Sequence, residues 1–178
     1  MGFGRFAFMD SKLKAAAGGS NYVRFLAMIA TSTVIMYGLM YLNTYSLDHV
    51  WWSQTRAWMA LLMGAVMAIV MLIFMWGMYR RVQINLLIIG LAVAAFAGSL
   101  WLVRSQETVG DVSYMKAMIP HHSIAIMTSR RAQISDPRVR KLANGIIDAQ
   151  VREIGEMEAL IANIKANGDT PGKLAPIH

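Results

Sequence analysis

Polar and apolar positions divide the chain at Arg104. Before it, residues 25–42, 57–78 and 86–103 form three apolar runs without Asp, Glu, Lys or Arg. Each is long enough, or nearly so, to cross a ~30 Å hydrocarbon core as a helix. After Arg104 the pattern becomes amphipathic. Asp111 is placed to cap a helix running to about residue 134, with Pro120 inside it. Such a proline removes a backbone donor and is expected to kink the helix, freeing the Lys116 carbonyl. Ser135-Asp136-Pro137 reads as a turn, with Asp136 as the next N-cap and Pro137 in the first helical position. Val139, Ala143, Ile146, Gln150, Glu153, Met157, Leu160 and Ile164 then alternate spacings of 4 and 3, which predicts a second helix ended by Asn167-Gly168. The expected fold is all-α. It comprises a mobile cytoplasmic tail (1–20), a three-helix transmembrane domain (21–104), a helical hairpin (105–166) and a disordered tail (167–178).

Composition and charge sharpen this outline. Of 178 residues 56% are hydrophobic, too many for an ordinary soluble domain, so the apolar runs belong in a bilayer. The first run follows a basic stretch but ends in Met40-Tyr-Leu-Asn-Thr-Tyr45 without a small-residue cleavage site, which reads as an uncleaved anchor. A net charge of +7 raises the question of nucleic acid, yet its distribution excludes that partner. Residues 1–24 carry a net +3, the first loop 0 and the second loop +2. By the positive-inside rule the N-terminus is cytoplasmic and the hairpin periplasmic, in a bacterial inner membrane. Tyr41, Tyr45, Trp51, Trp52, Trp58 and Trp101 are then expected as an aromatic belt at the outer interface. Arg138, Arg140 and Lys141 crowd a helix N-terminus, where positive charge opposes the macrodipole. That tip is either simply solvated or faces an acidic partner.

The chemistry-bearing stretch is Met115 to Met127. Three of the fifteen methionines and two of the four histidines lie in it, and Met115, Met118 and His122 share one helical face. Thioether and imidazole suit Cu(I) or Ag(I) and leave Mg²⁺ or Ca²⁺ poorly served. With no cysteine in the chain, any soft site must use thioethers. A methionine stripe at helical spacing is also ordinary core packing. A hairpin turning near Ser135 sets His122 opposite Gln150, Met118 opposite Ile154 beside Glu153, and Met115 opposite Met157. Met115, Met118, His122 and Met157 are the expected metal ligands, His121 and Met127 the alternates. Gln150 and Glu153 interrupt an apolar seam and need polar partners, which orienting a histidine ring would supply.

The run Tyr114-Met115-Lys-Ala-Met118-Ile-Pro120-His121-His122, with Ala125, Met127, Gln150, Glu153-Ile154 and Met157, resembles the domain of unknown function 305 family over residues 108–165. That resemblance implies a helical, ferritin-like protein of the bacterial envelope associated with copper and silver. Longer members look like a complete four-helix bundle, whereas this chain has room for one hairpin. A half-bundle implies a dimer or higher oligomer. The functional expectation is a Cu(I)/Ag(I) buffer or chaperone in copper homeostasis or tolerance, not an enzyme, handing metal to a periplasmic acceptor protein.

Alternatives remain. Met59, Met63, Met67, Met71 and Met75 climb the second span at i+4 steps, a candidate Cu(I) relay similar to the Met-x-x-x-Met of eukaryotic high-affinity copper transporters. Their drift of about 40° per step spreads them over roughly 160°, which does not suit a single pore. A di-iron enzyme needs Glu-x-x-His, and Ile119 and Met118 occupy the positions three before His122 and His121. A structural membrane protein without metal is the third reading. Gly90, Ala94 and Gly98 on the third span are expected to admit a close neighbouring helix.

Overall fold

In the computed structural model the backbone is described for residues 3–169 and side chains for residues 21–169. Among these residues five α-helices follow one another: α1 (Phe3–Leu39), α2 (Gln54–Phe74), α3 (Val82–Ser105), α4 (Asp111–Arg131) and α5 (Pro137–Asn167), with a short 3-10 turn at Leu47–His49. Among the described residues there is no strand. The part of α1 from Asn21, together with α2 and α3, gives three helices long and apolar enough to cross a membrane. The backbone is helical from Phe3, where an irregular tail was expected. The expected C-terminal tail lies largely outside the described residues.

The chain separates into two compact units. One gathers α1 with Arg56–Gln106, and the other gathers Met40–Thr55 with the chain from Glu107 on. In the first, Tyr22 and Phe25 of α1, Ala65, Ala68 and Leu72 of α2, Tyr79 and Ala92 form the core. The wholly buried amide of Asn85 accepts from the Tyr22 hydroxyl at 2.7 Å and donates to the Tyr79 carbonyl at 2.6 Å. Both ends of a group that would be costly in an apolar bundle are thus satisfied. At the α1–α2 crossing, a Cβ on Gly64 would collide with the Thr33 hydroxyl, so this glycine sets the closeness of the two helices. A Cβ on Gly90 or Gly98, by contrast, would meet nothing within 4 Å among the described residues.

The second unit is an antiparallel hairpin with a strap. α4 and α5 bury Met115, Ile119, Ile126, Ile154 and Ile161 between them. α4 continues through Pro120, which is itself buried. Two boundaries differ from the sequence reading. Gly110, not Asp111, occupies the N-cap of α4, and Asp111 sits in the first turn where its charge suits the helix dipole. α4 stops at Arg131, and the connection extends to Asp136, which caps α5 by accepting from the Arg138 amide. The basic tip is employed in that connection: Arg138 pairs with Asp136 at 2.7 Å, and Arg140 donates to the Ala132 and Ile134 carbonyls.

The strap is the segment linking α1 to α2. The buried Ser123 hydroxyl of α4 accepts the Tyr45 amide at 2.7 Å and bonds His49 Nδ1 at 2.9 Å. Arg130 lies over the Tyr45 ring and donates to its hydroxyl at 2.6 Å. Trp51 packs on the hairpin core, with the Lys116 and Lys165 ammonium groups 6.0 and 5.5 Å from its ring. Both distances are within the range of cation–π attraction. Tyr45 and Trp51, expected in an aromatic belt, are therefore turned onto the hairpin, while Trp52 and Trp101 remain exposed.

Candidate metal centre

Helical spacing sets the hairpin ligands. Met115, Met118 and His122 fall on adjoining turns of α4 because 3 and 4 residue steps return to one face. Met115 is buried in the hairpin core, and Met157 of α5 packs against the same cluster. Two thioethers from opposite helices thus meet one apolar core. Met118 and His122 adjoin it, half-buried, and the His122 ring Nδ1 donates to the Met118 carbonyl at 3.0 Å.

The other nitrogen of His122 is also engaged. Nε2 lies 2.8 Å from Glu153 Oε2. A carbonyl and a carboxylate are both acceptors, so a ring carrying both protons satisfies the two contacts and a neutral ring satisfies one. Glu153 is further approached by Arg152 at 3.9 Å. A metal held at His122 Nε2 would take that nitrogen from Glu153, with Nδ1–H left on the Met118 carbonyl.

The pairing register differs by about one turn from the sequence estimate: His122 meets Glu153 and not Gln150. Side chains lean toward the N-terminus of their own helix, which in an antiparallel pair moves the two partners in opposite directions along the hairpin. Each contact is therefore made with a residue later in α5 than Cα positions suggest. Gln150 is half-buried one turn nearer the tip. His121 is exposed, its ring 6.4 Å from that of His122, and Met127 is half-buried toward the tip.

Sequence reasoning missed His49. It reaches α4 through Ser123, one residue beyond His122, although it precedes it by 73 positions. A buried serine on an otherwise apolar face was the available signal.

Among the described residues no three of His, Asp and Glu converge as metal-binding groups. A site built on hard or borderline ligands is thus not offered. The donor set that is present fits a soft monovalent cation, provided that His122 exchanges Glu153 for the metal. The second-span methionines belong to the other unit. The buried face of α2 is Ala60, Gly64, Ala65, Ala68 and Leu72. Met59, Met63, Met67 and Met71 each stand one residue before a position on that face. Met59 is exposed, Met71 and Met75 pack on the core cluster, and Met75 lies beyond the end of α2.

Comparison with known proteins covers the hairpin. A family described as Domain of unknown function (DUF305) matches residues 105–174. The uncharacterized protein L153 of Acanthamoeba polyphaga mimivirus is 39% identical over 64 residues, or 35% of this chain and 42% of that protein. The chain thus spans about two fifths of the length of the relative it matches. No solved structure gives a significant match. Residues 105–174, the hairpin and its flanks, are thus similar to the domain of unknown function 305 family.

Proposed function

We propose that the α4–α5 hairpin binds Cu(I), and by extension Ag(I), as cargo on the periplasmic side of a bacterial inner membrane. The observation that carries this reading is the meeting of Met115 and Met157 at one core, with Met118 and His122 on the adjoining turns. Thioethers bind a monovalent soft ion without needing to lose a proton, and one imidazole adds a borderline donor. Such a set exchanges its ion, which suits a buffer or chaperone passing metal to an acceptor protein and implies no redox or hydrolytic chemistry. A second copy completes the four-helix arrangement. Leu142, Ile146 and Leu160 form an exposed stripe beside the hairpin seam, and cross-links are expected between copies of α5 in a dimer or higher oligomer.

The test is an anaerobic competition titration of the detergent-solubilised full chain against a chromophoric Cu(I) chelator. Met118→Leu and His122→Ala should each weaken binding roughly tenfold or more with helicity retained, while Met67→Leu leaves it unchanged. A wild-type chain that takes no Cu(I) from the chelator overturns the reading. Vesicles loaded with chelator separate a buffer from a channel, since a buffer moves no copper inward.

A further inference from the structure

The strap has a second face. It joins one membrane-length helix, ending at Leu39, to the next, starting at Gln54, so its two ends are fixed at the same membrane surface. Its inner face is engaged by the hairpin: the Tyr45 amide and His49 Nδ1 meet the Ser123 hydroxyl, and Trp51 packs on the hairpin core. The 3-10 turn at Leu47–His49 sets the outer face. In such a turn residues three apart eclipse, so Leu47 and Val50 stand on one side, Asp48 on another and His49 on the third, toward α4. The Val50 amide closes the turn on the Leu47 carbonyl at 3.0 Å, which fixes the pair. Leu47 is 87% exposed, Val50 45% and the nearby Trp52 65%, so the outer face is apolar and open.

A single exposed leucine is ordinary, but an apolar cluster tied at both ends to a membrane surface calls for a partner. Chain length keeps the cluster near lipid, since Leu47 is eight residues from Leu39 and seven from Gln54. Composition agrees. Residues 40–53 contain no Lys or Arg, and their one carboxylate, Asp48, is exposed on its own side of the turn, where it stays hydrated. Tryptophan is favoured at the level of lipid headgroups. Size also selects lipid. Three side chains fall far short of the roughly 800 Å² per partner of a stable protein interface, yet suffice for insertion about 5–10 Å deep at the headgroup–acyl boundary. We propose that Leu47, Val50 and Trp52 insert into that boundary, so that the strap, bonded to α4 on one face and to lipid on the other, holds the hairpin at the bilayer surface.

The cysteine-free chain permits single-site labelling without background. Nitroxides are placed on Leu47→Cys, Val50→Cys and, as a control exposed on α5, Val151→Cys, in the full chain in phosphatidylcholine nanodiscs. Oxygen, which concentrates in lipid, should relax the two strap labels more than a water-soluble nickel chelate does, and the order should reverse at the α5 label. The unlabelled cysteines, no larger than the side chains they replace, give a second readout should the nitroxide itself disturb the strap. A membrane-impermeant maleimide should react with the strap cysteines about tenfold more slowly than with the α5 cysteine, because lipid excludes the reagent and disfavours the thiolate. Nickel-dominated relaxation of the strap labels, or equal maleimide rates at the three sites, overturns the proposal. Strap labels shielded from both oxygen and nickel, with dipolar broadening between them, also overturn it and assign the face to a second copy.

Discussion

Replacing Ser123 by alanine removes one oxygen and tests how the strap is held. Ser123 is wholly buried, and its hydroxyl serves the Tyr45 amide at 2.7 Å and His49 Nδ1 at 2.9 Å. In Ser123→Ala the backbone donor loses its acceptor, a change that costs about 1–3 kcal/mol when water cannot replace it. Tyr45 is 41% exposed, so water partly compensates and the lower half of that range applies. About 1–2 kcal/mol corresponds to a roughly 5- to 30-fold rise in the open population of the strap. Amide hydrogen exchange reads that population directly. Exchange at Tyr45 should accelerate by that factor, while amides near Ile119 and Ile154 keep their protection. Thr128→Ala is the control, because the Thr128 hydroxyl bonds only carbonyls of its own helix. Unchanged exchange at Tyr45, or equal acceleration throughout α4 and α5, would refute the reasoning.

Three further outcomes follow from the same geometry. Glu153→Gln removes the carboxylate that engages His122 Nε2, so that nitrogen is more readily given to Cu(I) and binding should tighten in the competition titration; unchanged affinity would exclude His122 as the exchanging ligand. The hydrogen bonds from Arg138 hold the Asp136 carboxyl below its usual value, so its cap stabilises α5 above the ordinary carboxylate range and is lost as pH falls through the lowered value. The Arg138 amide shift should track that acid transition, and Arg138→Ala should move its midpoint upward; identical midpoints would contradict the assignment. In the membrane helices Gly64→Ala should lower the thermal midpoint in detergent, at a cost of about 1–3 kcal/mol, because the new methyl meets the Thr33 hydroxyl. Adding Thr33→Ala should restore most of the loss, and failure to restore it would place the strain elsewhere.

Much of the architecture was legible in the sequence because its signals are local. Charge-free runs give the membrane helices, and the 4–3 alternation from Val139 to Ile164 gives α5 with its Asp136-Pro137 start. Asp111 misled because both Gly110 and Asp111 suit a helix start, and backbone conformation decides between them. Glu153 was expected, with Gln150, to orient a histidine ring, and it meets His122; the residue opposite His122 was read as Gln150, one turn off, because spacing along a helix does not carry side-chain lean. The strap was not legible at all. Residues 40–55 reach α4 through contacts more than seventy positions apart, and their aromatic residues carry the same composition signal whether they face lipid or protein.

On the function proposed here, the thioethers and imidazole of the hairpin form one soft-metal site. X-ray absorption at the copper edge of the Cu(I)-loaded full chain addresses it most directly. Copper should be surrounded mainly by sulfur with one imidazole nitrogen, an arrangement lost when Met115, Met118, His122 and Met157 are replaced together by Leu or Ala. A shell of nitrogen and oxygen alone, or a sulfur shell that survives those four substitutions, would contradict it.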